Sequence, residues 1–273
     1  MALVYVNGRL SEPEQAVVSA FDHGLLTGDG VFESIVVRNG RPFGLSRHLA
    51  RLGASASVLG LALPPEGELT AAVAAVVASS GSASGKIRIT VTGGRGGLGS
   101  ARSPASPTVV VACEESPPPP DEASVVLAPW PRNERGALAG AKTISYAENV
   151  VALAWALERG ATEALFANLA GNLCEGTGSN VFVGLGGELV TPPLSAGCLA
   201  GVTRGLILEI AKVAERDVPV SELPAVEEAF LSSTTRGVQP VAAIDGRRLE
   251  HCPGPLTRAA AAAFAELAER GLG

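Results

Sequence analysis

Lys142 lies in Ala141-Lys142-Thr143-Ile144-Ser145-Tyr146, a stretch of mostly small and apolar residues just ahead of a helical pattern. An ammonium placed there loses hydration. Lost hydration lowers a lysine pKa toward the range in which the free amine attacks carbonyls and shuttles protons. Taken alone, such a lysine is as readily a solvated side chain. A second segment, Cys174-Glu175-Gly176-Thr177-Gly178-Ser179-Asn180-Val181-Phe182, puts a carboxylate ahead of a glycine and hydroxyl turn that leads into a strand. Such a turn offers amides and hydroxyls to an anion and its carboxylate to a cation, although its plain reading is an ordinary hairpin turn. A third, Leu199-Ala200-Gly201-Val202-Thr203-Arg204, opens an amphipathic helix whose first amides suit a phosphate. The fourth, Leu231-Ser232-Ser233-Thr234-Thr235-Arg236-Gly237, is a dense hydroxyl cluster after a strand. Either of the last two serves equally well as simple capping.

Two glycine-rich segments are misleading. Gly94-Arg95-Gly96-Gly97-Leu98-Gly99 satisfies the dinucleotide pattern after a strand, but Ser103-Pro104-Ala105-Ser106-Pro107 follows it and cannot open the helix that a pyrophosphate needs. It reads instead as a flexible active-site loop. Gly81-Ser82-Ala83-Ser84-Gly85-Lys86 is one residue short of a phosphate loop and is followed by Ile87.

The elements that must position these groups follow from the rest of the chain. Its 273 residues are 47% hydrophobic and 18% charged, enough for a large core in one or two domains. The net charge of −6 comes without a Lys/Arg run, which excludes a nucleic-acid footprint and favours a small-molecule partner. No apolar stretch is long enough for a membrane span, and the first residues do not have the layout of a signal peptide. Cys113, Cys174, Cys198 and Cys252 lack paired spacing, so neither a disulfide framework nor a metal site is expected; a reducing cytoplasm fits best.

Asn7-Gly8 after residues 3–6 and Asn39-Gly40 after residues 31–37 predict hairpins. Helices are predicted over 46–61 and 68–79, and strands over 86–92 and 108–112. Together these make a small α+β domain over 1–115. The proline run within 116–123 reads as a linker, and a larger domain over 124–273 follows. There the pattern predicts strands near 124–128, 163–167 and 180–184, a helix over 148–159, and strands or helices over 188–191, 201–215, 225–230 and 256–270.

In their order, the lysine, carboxylate turn, helix start and hydroxyl cluster resemble the fold-type IV pyridoxal-phosphate enzymes, the class IV aminotransferase family. Asp22, Gly24, Gly28-Asp29-Gly30-Val31-Phe32-Glu33 and His48-Leu49-Ala50-Arg51-Leu52 add to the resemblance, which spans nearly the whole chain. It implies an α+β, two-domain fold like that of D-amino acid aminotransferase, with a small α/β sandwich domain and a larger barrel-like β domain with helices. The cofactor implied is pyridoxal 5'-phosphate. Lys142 would carry it as a Schiff base and move protons, and Glu175 would face the pyridine nitrogen. Arg51, Val202, Thr203 and Thr234 would hold the phosphate, Leu199 would lie against the ring, and Tyr146 would meet its phenolate oxygen. Phe32, Arg95 and Arg236 are the candidates for substrate binding. A homodimer is also implied.

Among the family's members, 4-amino-4-deoxychorismate lyase, which releases pyruvate and 4-aminobenzoate, is the first expectation. It shares the glycine-rich loop and the short Gly-Asp-Gly-x-Phe-Glu form. Aminotransferases of D-amino or branched-chain amino acids are the alternative. The first lack their Arg-x-His pair here, and the second lack Phe-Glu-Gly with its nearby tyrosine. A non-catalytic binding protein is a more distant alternative.

Overall fold

The computed structural model describes residues 2–104 and 106–271. Contacts divide the chain into two compact units, one of residues 1–117 with 141–145 and one of 118–140 with 146–273.

Unit 1 holds β1 (Val4–Val6), β2 (Arg9–Ser11), α1 (His23–Thr27), β3 (Gly30–Arg38), β4 (Arg41–Pro42), α2 (Leu45–Leu59), α3 (Glu66–Ser80), β5 (Ser84–Thr92) and β6 (Thr108–Glu114). Its strands form one antiparallel sheet in the order β2-β1-β6-β5-β3-β4. The Asn-Gly pairs make the predicted turns, with Asn7, Gly8, Asn39 and Gly40 all at positive φ, the geometry that lets a two-residue loop follow the sheet's twist. Val31, Ile35, Val37, Ile87, Ile89 and Val91 alternate onto one face. There they meet Leu49 and Leu52 of α2 and Val73 and Val76 of α3. The alternation leaves Phe32 and Ser34 of β3, paired with Thr90 and Arg88 of β5, on the opposite face. Beyond β5, no helix opens among the described residues of 93–107, and the chain goes straight to β6. Residues 141–145 dock on the start of β3: Thr143 bridges Val31, the Phe32 amide donates to the Lys142 carbonyl at 3.1 Å, and the Ile144 amide donates to the Gly30 carbonyl at 2.9 Å.

Unit 2 holds β7 (Ala123–Leu127), α4 (Ala147–Leu157), β8 (Glu163–Ala167), β9 (Leu173–Gly176), β10 (Asn180–Leu185), β11 (Glu188–Thr191), α5 (Val202–Ile210), β12 (Ala214–Glu215), β13 (Glu228–Ser233), β14 (Gly237–Ile244), β15 (Arg247–Arg248) and α6 (Pro255–Glu269). The sheet runs β12-β11-β10-β13-β14-β7-β8-β9, with β15 on β14. Only Thr177, Gly178 and Ser179 separate β9 from β10, yet those strands stand five places apart in the sheet. In a flat sheet five places span about 24 Å, and four chain steps reach about 14 Å at most. The sheet therefore curls, and the Gly176 amide closes the short link by donating to the Ser179 carbonyl at 2.8 Å. This is the barrel-like form expected. One element ends earlier than the sequence reading placed it. The helix expected across 201–215 stops at Ile210, because Ala211 is extended and Ala214–Glu215 pairs with β11. β14 runs through the middle of the sheet despite Pro240, and its pairing with β7 shifts register between Val241 and Ala243.

Candidate functional site

In unit 1, the Lys142 amide donates to Ser55 Oγ of α2 at 3.0 Å, and its Nζ stands 4.2 Å from the centre of the Phe32 ring. The half-buried amine is thereby held on an aromatic face. Arg88 shares that ring, its guanidinium carbon 3.8 Å from the centroid, and its Nε donates to Thr90 Oγ1 at 3.3 Å. Phe32 thus carries both the Lys142 amine and a guanidinium able to meet an anion. Sequence reading missed Arg88. The signal was there: with Ile87, Ile89 and Val91 facing the core, the alternation aims Lys86, Arg88 and Thr90 at the face of Phe32.

Arg51 is engaged with Glu33. Its Nε and Nη2 donate to the two oxygens of that buried carboxylate at 2.8 and 2.6 Å, while His48 Nδ1 lies 2.7 Å from Oε2. Burial pushes the Glu33 carboxyl up, but the bonds and charges of Arg51 and His48 together outweigh it and hold the group below the usual carboxylate range. Arg95 is exposed on the glycine-rich loop, near Phe21, and its backbone bridges Asp22. The loop is anchored by Arg102, which donates through Nε to Asp29 at 2.7 Å and through Nη1 to the Gly60 carbonyl at 2.9 Å.

Unit 2 gathers the other expected groups. Glu175, half-buried on β9, accepts the Leu199 amide at 2.9 Å, and Arg132 Nε stands 3.6 Å from its other oxygen. Arg132 packs on Phe166 at 4.1 Å and had no signal in the sequence, being 43 residues away from Glu175. The Leu199 carbonyl in turn accepts from Asn180 Nδ2 at 2.9 Å. A Cβ on Gly201 would fall 2.0 Å from Asn180 Oδ1, so the approach of α5 to β10 requires glycine. Helix α5 starts there with no side-chain cap, its Val202 and Thr203 buried. Asn180 pairs with Ser232 across β10 and β13, which leads to the turn that holds Thr234. Carboxylate, helix start and hydroxyl turn are thus brought together. Such a set fits pyridoxal phosphate: a carboxylate for the ring nitrogen, with uncapped amides and hydroxyls for the phosphate. Tyr146 is half-buried at the residue before α4, and Arg236 is paired with Glu163 and with Gln239 Oε1 at 3.1 Å.

Among the described residues, no group of three or more His, Cys, Asp or Glu side chains is placed to hold a metal ion, and no helix is long and apolar enough to cross a membrane.

Residues 30–244 match the profile of the class IV amino-transferases. Among curated proteins, the chain is 32% identical over 268 residues to the D-alanine aminotransferase of Bacillus licheniformis, covering 93% of each chain. It is 29% identical to a bifunctional aminodeoxychorismate lyase / D-amino acid transaminase of Mycobacterium tuberculosis, over 98% of this chain and 97% of that one. Among solved structures, the branched-chain aminotransferase of Thermoproteus uzoniensis superposes with a TM-score of 0.91 at 30% identity, covering 97% of this chain and 94% of that one. A hypothetical aminotransferase of M. tuberculosis in its PLP-bound form gives 0.83 at 29% identity, covering 99% and 98%.

Proposed function

The chain belongs to the class IV amino-transferases, enzymes of pyridoxal phosphate, and on that premise we propose that it moves the amino group of an aliphatic α-amino acid to a 2-oxo acid. The observation that carries the proposal is the Lys142 amine and the Arg88 guanidinium against the one Phe32 ring. An α-amino acid brings an amine and a carboxylate on one carbon, and Lys142 and Arg88 stand on one ring. The similar enzymes named for D-alanine and for branched-chain amino acids support this reading. It departs from the first expectation of the lyase.

Bound pyridoxal phosphate supplies an aldehyde that takes up the amino group and a ring that withdraws electrons from the carbon losing its proton. Lys142 Nζ would hold the cofactor and would remove and return that proton. Arg88 binds the substrate carboxylate through its planar fork. Glu175, with Arg132 beside it, would face the ring nitrogen and keep its proton in place. The Val202 and Thr203 amides, the Thr203 hydroxyl, Thr234 and Arg51 would bind the phosphate, and Leu199 and Tyr146 would meet the ring. The homodimer is part of the same proposal and is checked by sedimentation.

The lyase is a second reading, supported by the bifunctional relative and by exposed Arg95, a further cation for a substrate with two carboxylates. The test is incubation with L-leucine, L-valine or D-alanine, with and without 2-oxoglutarate. Amino transfer that requires the 2-oxo acid is expected. Lys142→Ala should abolish both the visible absorbance of bound cofactor and turnover, and Arg88→Ala should raise KM for the amino acid at least tenfold. Pyruvate release from aminodeoxychorismate without an acceptor, and no transfer, would favour the lyase instead.

A further inference from the structure

Glu163 has no exposed surface, and none of the roles above calls on it. It is the first residue of β8, and its side chain reaches two separate loops. Oε1 accepts the Gly178 amide at 2.9 Å and the Ser179 hydroxyl at 2.7 Å, in the turn directly after Glu175. Oε2 forms an ion pair with Nη2 of Arg236, in the turn that carries Thr234. Space for this carboxylate is kept by Gly176, where a Cβ would stand 2.3 Å from Oε1. A buried charge is costly unless it is compensated, and here two hydrogen bonds from one loop and a cation from the other converge on it.

We propose that Glu163 and Arg236 are a positioning pair that fixes the Glu175 turn and the Thr234 turn relative to each other, so that ring nitrogen and phosphate are gripped at a set separation. Arg236 then acts inside unit 2 and not as a receptor for a substrate carboxylate. The cofactor part of this proposal rests on the function proposed above; the coupling of the two turns does not.

The full-length chain without added cofactor is followed by amide hydrogen exchange at 176–180 and 233–237, and pyridoxal phosphate is titrated by its visible absorbance. Glu163→Gln keeps the shape and weakens the pair. It should speed exchange in both turns and weaken cofactor binding by about tenfold, leaving β3 and β5 protected as before. Arg236→Met should do the same, while Arg236→Lys, which keeps the charge, should recover most of both. If Arg236→Met does not fold, Glu163→Gln combined with Arg236→Met removes both charges and takes its place. Faster exchange at 176–180 with 233–237 unchanged would overturn the coupling, as would an unaltered cofactor affinity in a protein that binds it. Should the wild-type chain take up no pyridoxal phosphate, the enzyme reading fails by itself, and equal loosening of both turns would still support the pair.

Discussion

Glu33 shows how one residue can be held charged inside a core. Between Arg51 and His48 it has two partners and no exposed surface, so its pairing stabilises the fold only while it is ionised. Its folded pKa lies below the ordinary carboxylate value of about 4.3, so this stabilisation is complete above that value and is lost as pH falls through the folded pKa. Glu33→Gln should cost about 3 kcal/mol at pH 7, the scale for breaking a buried pair. Urea denaturation measures it, and the gap from wild type should close in acid; a gap independent of pH would disprove the ion-pair account. Glu33, Arg51 and Phe32 were named from the sequence because they fall inside recognisable local patterns. Arg132, Arg88 and Glu163 were not, because their importance arises from partners 43, 56 and 15 residues away, which only folding brings near.

At the scale of elements, hairpins and the two long helices of unit 1 were legible, since Asn-Gly turns and apolar periodicity are local. The end of α5 was not, because the apolar pattern runs on past Ile210 and only the pairing of β12 with β11 stops it. Nor was β14, where Pro240 argues against an inner strand until the shifted register next to it is seen. α5 also carries a prediction. Gly201→Ala places a methyl group against Asn180 Oδ1, so the helix start must move away from Glu175 and β10. The expected result is a loss of about 1–3 kcal/mol in stability, with weaker binding of pyridoxal phosphate read from the same absorbance titration. A variant with unchanged stability and affinity would show that α5 does not need its close approach.

For the molecule as a whole, the chain leaves unit 1 at Pro117, returns for residues 141–145 and leaves again. A glutamate-specific protease should therefore cut at the exposed Glu115 or Glu122 without releasing the first 115 residues as a separate species. Residues 141–145 stay bonded to Gly30, Val31 and Phe32 and tie the later fragment to the earlier one. Native size-exclusion chromatography should show one peak, and denaturing electrophoresis two bands. Two native peaks would mean the five-residue return is too weak to hold.

That return also limits how such a protein can be recombined. Exchanging residues 1–117 for those of a homologue leaves the donor's β3 facing a foreign pentapeptide, and Lys142 then sits in a cradle it did not evolve with. A working graft must carry two discontinuous pieces of gene, the second only five codons long.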